Sequence, residues 1–144
     1  MDGEGESVIV EDCFRLLLNL LNENHSNQTY FVETNNLMKK LCGYFNLNIT
    51  NLQQKQTLNN LSLLLDIYKC LVSPANPHQQ IATCQRAYAH FGLLHRLCAA
   101  IMMPALTADL LAQIISTVAQ IIRGKWRQFL KLFCSTLVDL PLDT

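Results

Sequence analysis

The sequence predicts an all-α solenoid, a stack in which long helices have neighbours on two sides. Three observations predict it. Apolar residues recur at helical spacing along nearly the whole chain, caps and breakers fall between the runs, and one order of elements occurs twice. No segment shows the period-two alternation of a strand.

The elements follow in order. Ile9, Cys13, Leu16, Leu17 and Leu20 share one face of a helix over 8–21, and Phe14, Leu18 and Leu21 form a second apolar stripe. A helix with two apolar sides is expected to be sandwiched. Ser26 is the expected cap of a short helix holding Tyr30 and Phe31. Asn35 and Asn36 tolerate the left-handed turn that precedes a helix over 37–45. The polar stretch 46–56 reads as a loop. Leu58, Leu61, Leu65, Tyr68 and Val72 then mark a second long helix, again with apolar residues, Leu64 and Leu71, on another side.

Ser73-Pro74-Ala75-Asn76-Pro77 reads as a stop and restart, with Asn76 capping the next helix and Pro77 in its first turn. Ile81, Cys84, Tyr88 and Phe91 form a helical stripe, Gly92 breaks it, and a helix resumes over 93–103 until Pro104. Thr107 caps a third long helix carrying Leu111, Ile114, Ile115, Val118 and Ile122, and Gly124 stands where a helix C-terminus favours glycine. Long helix, loop, short helix, break and helix thus occur twice, and the third long helix opens another unit. Units of this size with two or three helices are the armadillo/HEAT signature, here about two and a half repeats of a right-handed α-solenoid. Residues 1–7 read as a flexible acidic leader, 8–124 as the repeats, and 125–144 as a divergent helical C-terminal segment.

Composition narrows the function. Of 144 residues half are hydrophobic and 15% charged, against about 25% in average soluble domains. That is incompatible with a disordered chain. Eleven basic and eleven acidic residues cancel, so no global field draws nucleic acid. The acidic start lacks the n- and h-regions of a signal peptide, and the best apolar stretch is broken by Pro104 and Asp109, which points to a cytoplasmic chain with reduced thiols. The six cysteines lie within apolar helical patterns and read as small core hydrophobes. Four glycosylation sequons, at Asn24, Asn27, Asn48 and Asn60, carry no meaning without secretion.

Catalytic chemistry finds little support. No C-x-x-C pair exists, and the nearest His–Cys pair, His95 and Cys98, lies one turn apart, with Cys84 and His90 further back. A Cys84–His90 nucleophile pair lacks an orienting group and an oxyanion hole. There is no glycine-rich phosphate loop. The expectation is a non-enzymatic chain without cofactor or metal.

The residues also carry a resemblance. Glu11-Asp12-Cys13, the run through Asn19, then Asn24, Asn27, Gln28 and Phe31 resemble a stretch of the general vesicular transport factor family. Ser73-Pro74 with Asn76-Pro77, Cys84-Gln85, Gly92 with Leu97-Cys98, and Arg123-Gly124 follow in the family's order. Asn27 and Gln28 sit where side-chain amides can satisfy open backbone groups between stacked helices. The resemblance covers about 8–124. It implies an armadillo-like head of a Golgi vesicle tether acting between endoplasmic reticulum and Golgi and within the Golgi, peripheral to membranes. It also implies Rab-type small GTPases, Golgi matrix proteins and SNAREs as partners, and homodimers through a coiled-coil tail. Two departures are expected: the chain begins within the head without that tail, and residues 125–144 do not resemble the family.

Charge is uneven along the chain. Residues 1–33 hold seven acids and one base, and the remainder four acids and ten bases. Arg123, Lys125, Arg127 and Lys131 gather around Trp126 as a small basic-aromatic patch suited to a partner, phosphates or acidic lipids, or as a solvated helix face. The apolar run Phe129-Leu130-Lys131-Leu132-Phe133-Cys134 is expected to stay exposed rather than cap the third long helix. The alternative function is an unrelated armadillo adaptor or transport receptor, and a Cys/His enzyme comes last.

Overall fold

A computed structural model describes residues 3–34, 36–49, 52 and 54–139. They form α1 (Gly3–Leu21), α2 (His25–Glu33), α3 (Leu37–Ile49), α4 (Lys55–Leu71), α5 (His78–His90), α6 (Leu93–Ile101), α7 (Ala108–Ile121) and α8 (Trp126–Asp139). No strand occurs among the described residues. The helices build an α-solenoid: α1, α2 and α3 form one unit, α4, α5 and α6 the next, and α7 opens a third. The long helices stack on each other, α1 on α4 and α4 on α7.

Burial follows position in the stack. In α4, Leu61, Leu64, Leu65, Ile67, Tyr68 and Leu71 are fully enclosed, as the two-sided pattern requires. Leu41–Cys42 of the first unit and Leu97–Cys98 of the second are equivalent and equally buried. A polar ladder runs through this apolar core. The Tyr68 hydroxyl donates to the Leu41 carbonyl at 2.6 Å, and Tyr88 donates to the Tyr68 carbonyl at 2.8 Å. Their rings meet edge to face at 5.7 Å. Burial pushes both phenols well above their ordinary range, so each stays a protonated donor.

Several boundaries differ from the sequence expectation. α1 starts at Gly3, so residues 3–7 continue a helix rather than form a flexible leader. The expected loop at 46–56 shrinks from both sides, because α3 runs to Ile49 and α4 begins at Lys55. Asn46, Asn48, Lys55 and Gln56 are helical beside buried Phe45, Ile49 and Thr57, so packing overrides composition there. The cap of α2 is Asn24, whose side chain accepts from Asn27 N at 3.0 Å, and not Ser26. Asn36 takes the left-handed turn at φ +69°, as does Glu23 at φ +54°. Asn35 and residues 1, 2 and 140–144 lie outside the described residues. Thr107 caps α7 as its sequence suggests, accepting from Leu110 N at 3.2 Å. Gly92 and Gly124, at φ +76° and +78°, end helical segments in the conformation that glycine alone adopts without cost.

Candidate interaction surface

The residues singled out by sequence divide into those that hold the stack and those that face outward. The first group closes the C-terminal ends of the long helices, where four carbonyls per helix lack intrahelical partners. At the end of α1, Asn27 donates from Nδ2 to the Leu20 carbonyl and buried Gln28 donates from Nε2 to the Leu21 carbonyl, both at 2.7 Å. Gln80 from α5 then donates to Gln28 Oε1, tying the first unit to the second. At the end of α4, Asn76 Nδ2 reaches the Cys70 carbonyl at 3.0 Å and the Leu71 carbonyl at 3.3 Å. At the end of α7, Gln85 Nε2 reaches the carbonyls of Ile121 at 2.8 Å and Arg123 at 3.0 Å.

Asn76 therefore closes the helix before it rather than capping the one after. The N-cap of α5 is Pro77, without a side-chain bond. Ser73 Oγ accepts from Ala75 N at 3.3 Å, which tightens the turn around exposed Pro74. Arg123 also serves the fold: its Nη1 lies 3.5 Å from the Val72 carbonyl, which separates it from the basic patch. Phe31, Leu97 and Cys98 are core residues.

Glu11 links the first two long helices. It accepts from Gln56 Nε2 of α4 and from Arg15 Nη2 at 2.5 Å. The Gln56 bond, then the Arg15 bond and charge, hold its carboxyl below the usual carboxylate range. Asp12, Cys13 and Asn19 are exposed.

Two outward features remain. The first is an apolar cleft of about 460 Å³ between α1 and α3, lined by Cys13, Phe14, Leu17, Leu37, Lys40 and Tyr44, with Asn60 of α4 also on its wall. Phe14 and Tyr44 meet edge to face at 5.7 Å across it. Tyr44 and Lys40 escaped the sequence reading because nothing local marks them. The outer side of α1 adds an apolar row, with Ile9 63%, Leu16 60% and Leu20 50% exposed.

The second feature is α8. It packs on α6 rather than over α7, so Ile115 of α7 remains 48% exposed. Trp126, Leu130 and Val138 face solvent, and the Arg127 guanidinium lies 5.4 Å from the centre of the Trp126 ring. Lys131 is exposed, whereas Lys125 is half-buried in a recess with Gln85, Leu94 and Gln128. The side chains of Phe129, Leu132 and Phe133 lie outside the described residues. The i, i+4 spacing of Trp126, Leu130, Cys134 and Val138 was readable as a single row, whereas the sequence expectation put Trp126 in the basic-aromatic patch, Leu130 and Cys134 in the apolar run, and left Val138 aside.

The cysteines sort by environment. None of the six is in a disulfide among the described residues. Burial pushes the thiols of Cys42 and Cys84 up to about 12 and that of Cys98 to about 11. Cys13 and Cys134 are exposed, contrary to the expectation that all six pack as core hydrophobes. Their helices present them on outward rows. Cys84 is thus held as a neutral thiol inside the stack while His90 is exposed, the opposite of the setting that activates a cysteine nucleophile. No group of three His, Cys, Asp or Glu residues able to hold a metal occurs among the described residues. No helix there is long and apolar enough to cross a membrane.

Comparison with known proteins gives this geometry a family. Residues 51–110, which span α4 to the start of α7, match the armadillo tether-repeat of vesicular transport factor. The chain is 39% identical over 125 residues to general vesicular transport factor p115 of rat and of human, covering 84% of this chain and 13% of each relative. It is 38% identical over 74 residues to intracellular protein transport protein USO1 of Saccharomyces cerevisiae, covering 49% of this chain and 4% of the relative. It therefore spans about an eighth of the p115 length. With the stacked three-helix units already in place, these matches show that the chain belongs to the general vesicular transport factor family, over a stretch that carries its armadillo tether repeat.

Proposed function

We propose that the chain is a non-catalytic protein-interaction module of a vesicle-tethering factor, acting in endoplasmic reticulum to Golgi and intra-Golgi traffic and peripheral to those membranes. The observation that carries the reading is the 39% identity to p115 across most of the chain, over helices whose long members stack as the repeat requires. The partners are a Rab-type small GTPase, Golgi matrix proteins and SNAREs, with homodimerisation belonging to the longer relatives. The cleft over Phe14 and Tyr44 supplies the seat: it is apolar, open, and walled by two helices fixed to α4. A partner inserting an apolar side chain there would take apolar surface on both sides out of water.

Helix-end closure by Asn27, Gln28 and Asn76 serves the stack, so these three act structurally, whereas Cys13 lines the cleft offered to the partner. An adaptor that reads extended peptides would need regularly spaced Trp and Asn along a groove, and the one Trp lies on α8. Pull-down against a panel of GTP- and GDP-loaded Rab proteins tests the reading. Capture of a GTP-loaded member, lost on Leu17→Asp in the cleft, is expected. Binding to none, with the segment in its full-length setting, would count against tethering.

A further inference from the structure

We propose that the exposed face of α8 is a docking surface for an anionic lipid bilayer. The inference goes beyond the tethering reading and does not depend on it. Residues 126, 130, 134 and 138 recur at every fourth position, so Trp126, Leu130, Cys134 and Val138 form one slowly winding row along the helix. All four are exposed, at 56% for Trp126, 47% for Leu130 and 82% for Val138. Arg127 and Lys131, also one turn apart and exposed, form a parallel row beside it. α8 packs on α6 while the apolar and basic rows stay exposed.

The charge of this region selects the occupant. From residue 110 to residue 138 the chain holds four bases, Arg123, Lys125, Arg127 and Lys131, and no acid. Two of them serve the fold: Arg123 reaches the Val72 carbonyl, and Lys125 lines the recess against α5 and α6. That leaves Arg127 and Lys131 beside the apolar row. A bilayer with anionic headgroups matches both rows at once. The indole of Trp126 suits the headgroup level, Leu130 and Val138 enter the acyl boundary, and the two bases extend back to the phosphates. Fourteen residues make a helix about 21 Å long, too short to span a bilayer, so α8 lies in the surface plane. Free phosphate would engage the bases but leave the apolar row in water.

Trp126 is the only tryptophan of the chain, so its emission reports on this face alone. The experiment titrates the full 144-residue chain with vesicles of phosphatidylcholine containing phosphatidylserine, with pure phosphatidylcholine vesicles, and with inorganic phosphate. A blue shift and co-sedimentation with the anionic vesicles, reversed by high salt, are expected. Arg127→Gln and Lys131→Gln should each weaken binding about 5-fold, and the pair roughly 25-fold. Leu130→Asp should weaken binding with helix content unchanged by circular dichroism. No shift with anionic vesicles at low salt would overturn the proposal. So would equal binding to neutral vesicles unaffected by the double Gln variant, or a shift produced by phosphate alone. A shift that appears without vesicles and grows with protein concentration would assign the face to self-association and overturn it as well.

Discussion

Both α1 and α4 carry two apolar stripes on a long helix, yet their stripes meet different environments. α4 lies between α1 and α7, and both its stripes are enclosed, with Leu61, Leu64 and Leu65 fully buried. α1 encloses Phe14 and Leu21 of one stripe, while Ile9, Leu16 and Leu20 of the other face solvent. The difference teaches that sequence periodicity reports how many sides of a helix are apolar. Which side is covered depends on the neighbour. Within this chain, the long helix with two stacked neighbours is enclosed on both sides and the one with a single stacked neighbour keeps a stripe open.

The largest expected contrast is chemical. A thiol pushed from 9.0 to about 12 holds roughly a thousandfold less thiolate at neutral pH, and Cys42 and Cys84 are enclosed as well. Thiol-labelling of the native chain should therefore modify Cys13 and Cys134 rapidly and Cys42, Cys84 and Cys98 only on unfolding. Uniform labelling of all six would break the comparison. These thiols also set a pH dependence. Their folded values lie above the ordinary one, so the native state holds protons that the unfolded chain releases. Stability is fully present below about pH 9 and falls as pH rises through 11 to 12. Denaturant titrations on the reduced protein from neutral pH upward check the sign.

Packing comes next. Leu64→Ala in α4 should cost about 2–5 kcal/mol, the range for a fully buried leucine, whereas Leu16→Ala in α1 should stay within about 0.5 kcal/mol. Equal costs in urea unfolding would mean that α1 is covered on both sides. Tyr68→Phe should be smaller, about 0.5–1.5 kcal/mol, because it removes one buried hydrogen bond while the Leu41 carbonyl keeps its partner within α3. Gly92→Ala follows at roughly 1 kcal/mol. The space around Gly92 is open, the nearest atom to an added Cβ being Arg96 Nη2 at 3.8 Å, so the cost arises from φ +76° alone.

The repeat was legible because its signals are local. Helix periodicity, Thr107 as a cap and glycines at the breaks depend on near neighbours along the chain. What the sequence left open depends on contacts between distant positions. Asn76 looks like a cap for the helix after it, because Asn caps are common, yet it turns back 5 and 6 residues to close α4. Gln85 closes α7 from 36 positions away, and no local pattern announces that. Cys13 and Cys134 follow the same apolar spacing as Cys42 and Cys98, and only the neighbouring helices separate exposed from buried. The cleft was invisible for the same reason, since Phe14 and Tyr44 meet across two helices that are remote in sequence.

Amide hydrogen exchange resolved by helix tests the central claim most directly, because it reads the stability of each helix within one intact protein. The two-neighbour account predicts that the α4 amides around Leu64 to Tyr68 exchange last, at the rate of global unfolding. Those of α1 and α8 should exchange earlier through local opening. Protection in α1 equal to that in α4, or α4 opening before its neighbours, would contradict it.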